Sequence, residues 1–94
     1  LSSEYPLEAS KVERMAQTLP KAIIRAKGIL CLDRDIEHYA VLQQVGRRWS
    51  LEQGGRREPV ATRSDLVLIG LADQTNEEDL RRSFDACRID ARRA

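Results

Sequence analysis

Few side chains in this sequence are equipped for chemistry. His38 is the sole histidine and stands beside Asp35 and Glu37, a carboxylate-imidazole combination that can ligate a transition metal. A stable zinc site needs three or four ligands, and the neighbourhood supplies one good one with carboxylates. His38 is therefore a weak metal candidate, and a solvated loop histidine is the simpler reading. Cys31 and Cys87 are far apart with no second thiol near either, which gives neither metal spacing nor a disulfide framework. Cys31 falls on the strand face of Lys27, where a cation would favour the thiolate. Packing as a small apolar residue is the commoner fate of a lone cysteine, and Cys87 on a helical stripe is read that way. No nucleophile, base and orienting group fall together, so no catalytic residue is assigned. Gly54-Gly55 lacks the lysine and hydroxyl with which a phosphate loop holds nucleotide and magnesium.

Arg25 and Lys27 offer binding instead of catalysis. They sit two residues apart in the run Ile23-Ile24-Arg25-Ala26-Lys27-Gly28-Ile29-Leu30-Cys31-Leu32, and on a strand alternate side chains share a face. Arg25 and Lys27 then point one way with Ile23, Ile29 and Cys31. Ala22, Ile24, Ala26, Leu30 and Leu32 form the opposite, apolar face and are expected on the core. A face split between charge and aliphatic side chains fits a partner contact, while solvated cations covering Ile23 and Ile29 with their methylenes are the plainer alternative. Trp49, flanked by Arg47 and Arg48, is a second contact candidate, since aromatics and arginine dominate interface hot spots; Trp49 in the core is an equal alternative.

The elements that position these residues follow from periodicity. Val12, Met15, Ala16 and Leu19 have the three-and-four spacing of a helix over about residues 8–19, opened after Pro6 and stopped by Pro20. Residues 1–5 read as the end of a strand whose start is cut off, and residues 22–32 as a second strand. A polar connection covers 33–38. Residues 39–51 read as one long strand, with odd positions mostly apolar, even ones small or polar, and Gly46 as a bulge in mid-strand. Residues 53–64, with Gly54-Gly55 and Pro59, read as a mobile loop. The continuous apolar run of residues 65–71 suggests a central strand buried on both faces. Thr75 to Glu78 reads as a capping box opening a helix with Leu80, Phe84 and Cys87 on its buried stripe.

The expected fold class is thus α+β: a four-stranded, mostly antiparallel sheet in the order strand-helix-strand-strand-strand-helix, with two helices on one face and the other face open. The first connection contains a helix and is expected to cross over to a parallel neighbour. At 94 residues folding hides only about 60–65% of the chain's surface, enough for one two-layer domain. The expectation is a single domain over residues 1–94, excised from a longer protein, with residues 88–94 a disordered tail. Sixteen Lys and Arg balance fifteen Asp and Glu, which removes the strong attraction of a dedicated nucleic-acid or anionic-membrane binder. No run reaches the ~18 apolar residues of a membrane span, and no basic-then-apolar leader opens the chain. A cytoplasmic setting is expected.

Four blocks carry a resemblance: Ile24-Arg25-Ala26-Lys27-Gly28, Val41-Leu42-Gln43-Gln44-Val45-Gly46-Arg47, Leu66-Val67-Leu68-Ile69-Gly70, and Leu80 through Cys87. Together, in this order and spacing, they resemble the carboxy-terminal domain of the CobW family of P-loop GTPases, over about residues 5–87. Departures are mild: Ile29-Leu30-Cys31 stands where aromatics are common, and Leu68 where phenylalanine is frequent. The resemblance implies a non-catalytic interaction or regulatory domain of a metallochaperone, linked to cobalt for cobalamin synthesis or to zinc. It implies an amino-terminal GTPase domain in the same parent chain and, in that parent, GTP, magnesium and a divalent transition metal, none of them held by this piece. It further implies contact with that GTPase domain, with a metalloprotein client or with a second copy. Arg25, Lys27, Arg47 and Trp49 are the partner-binding candidates. The alternative is a stand-alone sheet that binds protein or single-stranded nucleic acid; the central strands lack the aromatics on which bases stack.

Overall fold

The computed structural model describes residues 1–56 and 62–89. The elements are β1 (Ser2–Ser3), α1 (Ala9–Gln17), β2 (Ile23–Leu32), β3 (Asp35–Val45), β4 (Arg48–Arg56), β5 (Ser64–Gly70) and α2 (Glu77–Asp85), with a single 3-10 turn at Ala72–Gln74. The α+β class stands, but the sheet has five strands, in the order β1-β5-β2-β3-β4, and every neighbouring pair is antiparallel. Since β1 and β2 are each antiparallel to β5, they run parallel to one another. The helical crossover therefore skips one position and leaves a slot that β5 fills.

The additional strand arises at Gly46. Val45 pairs with Arg48, so Gly46-Arg47 is a two-residue hairpin turn and not a bulge inside one long strand. Gly46 has φ +60°, and no non-glycine described residue has positive φ, the signature of a type II′ turn with glycine first. Gln44 reinforces the turn by donating from Nε2 to the Gly46 carbonyl at 2.9 Å. Reversal at the turn also resets the faces: the even residues Ala40, Leu42 and Gln44 lie on the core side of β3, whereas odd-numbered Trp49 and Leu51 do so on β4, packed against the core.

Both helices lie over one face. Val12, Met15 and Ala16 of α1, Phe84 of α2 and nearby Cys87 meet Leu30, Leu42 and Leu66 of the sheet in a single cluster. The glycine at position 28 makes room for this packing, because a Cβ there would stand 3.0 Å from Leu66 Cδ1 and 3.1 Å from Leu30 Cδ2. The start of α1 has no side-chain cap of its own; the Ala9 amide instead donates to Asp33 Oδ1 at 3.0 Å, and Arg34 pairs with Glu13. The β2–β3 turn thereby holds the helix to the sheet. In α2 the cap is Asn76, whose side chain accepts from the Asp79 amide at 3.1 Å, with three acids in the first turn. The capping role falls one residue beyond Thr75, whose backbone is extended.

Two irregularities in β2 alter the expected alternation. A register shift against β5 between Ile23 and Arg25 buries Ile23 and turns Ile24 outward, the reverse of the expected placement. At the other end the pairing with β3 shifts between Leu30 and Leu32, and Leu30, Cys31 and Leu32 are all buried. There the Leu7 segment joins, its amide donating to the Cys31 carbonyl at 2.9 Å and its carbonyl accepting from Asp33 at 2.8 Å. The same segment meets the chain beyond α2: Glu8 donates to the Cys87 carbonyl and Ile89 to that of Pro6. Residues 88 and 89 are thus hydrogen-bonded parts of the domain; the remainder of the expected tail, and residues 57–61 of the expected mobile loop, lie outside the described residues.

Candidate functional site: the open face of the sheet

Pairing registers fix the open face as a grid of three rows. Asp65, Ile29, Val41 and Glu52 form the first row across β5, β2, β3 and β4. The second is Val67, Lys27, Gln43 and Ser50; the third is Ile69, Arg25, Val45 and Arg48. Directly paired residues on an antiparallel sheet share a face, so Arg25 and Lys27 project between the aliphatic residues of β5 and those of β3. Val67 is 63% exposed, Val45 60% and Ile69 51%. β5 is therefore apolar on both faces but buried on one, unlike the two-sided burial its composition suggests.

Charge on this face is polarised. Asp65 is engaged by Arg63, with Nε and Nη2 both 3.1 Å from its oxygens. Among the described residues no ion pair involves Arg25, Lys27 or Arg48. Three uncompensated cations thus occupy the two rows that also carry the exposed Val67, Ile69 and Val45. With Ile29 and Asp65 of the first row, these rows bound a shallow depression of about 480 Å³. Exposed aliphatic side chains gathered on one face mark an interaction surface more often than a solvated one.

Trp49 and Arg47 do not join Arg25 and Lys27. Trp49 is half-buried on the helix side of the sheet, and with Arg47, Leu19, Pro20, Ile23 and Ile24 it lines a separate groove between the end of α1 and the β3–β4 hairpin. The hairpin at Gly46 sets position 49 on the helix face, where Trp49 packs against the core, one of the two alternatives its sequence left open. Arg48, by contrast, lies on the open face and was not singled out by its sequence context. Val45, Val67 and Ile69 were also missed; the signal that could have found them is the polar residue two positions earlier on the same face, Gln43 before Val45 and Asp65 before Val67.

His38 is held as part of a polar clasp. Its Nδ1 is 3.2 Å from both oxygens of Asp35, which also accepts from Gln53 Nε2 at 2.7 Å and from the Glu37 amide at 3.2 Å. These contacts, the Gln53 hydrogen bond first and His38 second, hold the Asp35 carboxyl below the usual aspartate value. The clasp joins the start of β3 to β4 across an irregularity in their pairing. Among the described residues no three His, Cys, Asp or Glu side chains are grouped to hold a metal. Cys31 and Cys87 are both buried and not disulfide-bonded; Cys31 accordingly leaves the open face to which simple alternation assigns it. Burial pushes the Cys87 thiol up to about 11, the opposite of what a reactive cysteine needs. No helix among the described residues is long and apolar enough to cross a membrane.

With this geometry in place, three comparisons bear on the chain. Residues 1–88 match the family model described as cobalamin synthesis protein cobW C-terminal domain. Among solved structures, the zinc-bound YjiA GTPase from E. coli is similar with TM-score 0.79, at 28% identity over 95% of this chain. A zinc-bound triple mutant of YjiA GTPase is similar with TM-score 0.81, also at 28% identity over 95% of the chain. In both cases the match spans 28% of the length of the solved chain. Comparison with curated proteins gives no match. Matched along nearly its entire length, the chain belongs to the family of cobalamin synthesis protein cobW C-terminal domains.

Proposed function

We propose that this domain is a non-catalytic interaction and regulatory module of a metal-handling GTPase, and that its open sheet face is what the GTPase part of the parent protein reads. The observation carrying this reading is the pairing of unpartnered Arg25, Lys27 and Arg48 with exposed Val45, Val67 and Ile69 on one face. It is supported by likeness to solved GTPase chains of which this domain matches 28%. GTP, magnesium and a divalent transition metal belong, in this reading, to the parent and not to this domain; zinc in the similar structures makes zinc as natural a cargo as cobalt for cobalamin synthesis. The nucleotide state would change how strongly the domain is held, and so when metal passes to a client metalloprotein. Two buried cysteines that form no disulfide suit a reducing cytoplasm. The stand-alone nucleic-acid alternative is the poorer fit, because none of the twelve grid positions is aromatic and base stacking has no platform there.

The test is calorimetric titration of this domain with the GTPase part of its parent, with GTP or GDP and with zinc or cobalt. The reading predicts binding whose strength depends on nucleotide and falls in the Arg25→Glu/Lys27→Glu variant. No binding in any nucleotide state, or binding indifferent to both substitutions, would refute it.

A further inference from the structure

We infer that the occupant of the open face is a single acidic amphipathic helix from the GTPase part of the parent chain, lying along the seam between β5 and β2; this rests on the reading proposed above. Size is the first ground. With strands ~4.8 Å apart and two-residue steps of ~6.8 Å, four strands by three rows present only about 400 Å². A stable interface between globular partners takes about 800 Å² of accessible surface from each side, so this patch of twelve positions is smaller than a second copy or a whole domain needs. One helix about 10 Å wide and 20 Å long, or about 14 residues, covers the β5 and β2 half of it.

Spacing and charge give the chemistry. Arg25 and Lys27 are separated along β2 by about 6.8 Å, and carboxylates four residues apart on a helix by about 6 Å. Acids at i and i+4 therefore reach both cations at once. Beside them on β5, Val67 and Ile69 pair with Lys27 and Arg25 and are exposed, so the neighbouring stripe of the same helix should be aliphatic. Arg48, beyond Val45 in the third row, orients the acidic side toward β3 and β4. A helix on so small a face would bind weakly as a free molecule. Linkage within one chain supplies an effective concentration near the millimolar range, which favours an intramolecular source over a separate client.

The test uses nuclear magnetic resonance of this chain with a synthetic, end-blocked helical peptide of about 14 residues, carrying Glu at i and i+4 beside a Leu stripe, and its Glu→Lys counterpart. The expected result is selective shifts of Arg25, Lys27, Val67 and Ile69 by the Glu peptide and binding about five- to tenfold weaker for the Lys peptide, as two exposed ion pairs imply. Arg25→Glu/Lys27→Glu should invert that preference, and raising salt from about 50 to about 500 mM should erase most of it. Equal binding of the two peptides, or shifts confined to the Trp49 groove, overturns the inference. A parallel titration with the GTPase part separates the two claims. If that part shifts the open face but the Glu peptide does not, the helix is refuted and the domain contact stands. If the Glu peptide binds as described but the GTPase part leaves the face unshifted, the domain contact is refuted and the intramolecular source with it.

Discussion

Leu66 and Val67 are consecutive residues of β5 with opposite fates, and truncating each to alanine separates the two faces of the sheet by energy. Leu66 is 1% exposed within the cluster built from both helices. Its Cδ1 occupies the space beside Gly28, so close that a Cβ on Gly28 would stand 3.0 Å away. In Leu66→Ala that space has a glycine on one side and cannot be refilled by a neighbouring side chain, which places the loss high in the usual range, at about 3–5 kcal/mol. Val67 is 63% exposed, so only about a third of a burial worth ~1.5–3 kcal/mol is at stake, and Val67→Ala should cost under about 1 kcal/mol. A domain of this size has about 5–14 kcal/mol in total. In urea, with a slope of ~1.5 kcal/mol/M, the midpoint should fall by at least about 2 M for Leu66→Ala and by less than about 0.7 M for Val67→Ala. A second substitution, which adds a methyl group, checks the mechanism: Gly28→Ala should be tolerated better in the Leu66→Ala background than alone, by roughly 1 kcal/mol of coupling. Equal losses for the two truncations of β5 would refute the one-sided sheet, because they would require Val67 to be as deeply covered as Leu66.

Three further outcomes follow from local geometry. Gly46→Ala should lose about 1–2 kcal/mol in thermal unfolding, since its φ of +60° disfavours a Cβ, and Gly46→Asn should recover part of that; no loss in the alanine variant would contradict the hairpin assignment. Because the folded-state value of Asp35 is lowered by Gln53 and His38, its contribution is present above the ordinary aspartate value and is lost as pH falls through the lowered one. Asp35→Asn should therefore flatten the acid limb of a stability-pH profile below about pH 4, and an unchanged limb would exclude the clasp. Cys87, raised to about 11, should resist alkylation at pH 8 in the folded domain and react once it is denatured, and stability should fall as pH rises from about 9 toward 11 because the unfolded thiol ionises first. Prompt labelling of Cys87 in the folded state would place it outside the core.

The helices and the basic face of β2 were legible because each carries a contrast between apolar and charged positions. Val12, Met15 and Ala16 recur at helical spacing, and Arg25 and Lys27 mark their face by charge. Legibility failed where that contrast is missing. In residues 65–71 Asp65 alone marks the outward face, and the apolar run that follows it hid the outward placement of Val67 and Ile69. The β3–β4 hairpin was hidden because Gly46-Arg47 lacks the asparagine-glycine signal of a tight turn, and with it the side of the sheet on which Trp49 lies. Ile23 and Ile24 exchanged places through a register shift set by pairing with β5, a partner distant in sequence. The position of β5 between β1 and β2 is likewise non-local, since hydrophobic pattern defines a strand but not its neighbours. The resemblance carried by the four motif blocks matched the family, whereas the composition of the open face became visible only when three strands were aligned.

The account rests most heavily on the open face being covered in the parent protein and bare in this domain alone. Carbene footprinting of both, read residue by residue on β2, β3 and β5, tests this directly. Labelling of Arg25, Lys27, Val45, Val67 and Ile69 should be strong in the isolated domain and markedly reduced in the parent, while Ile36, exposed at the start of β3 outside the three rows, should label equally in both. Undiminished labelling of the five residues in the parent, under GTP and GDP alike, would contradict the account.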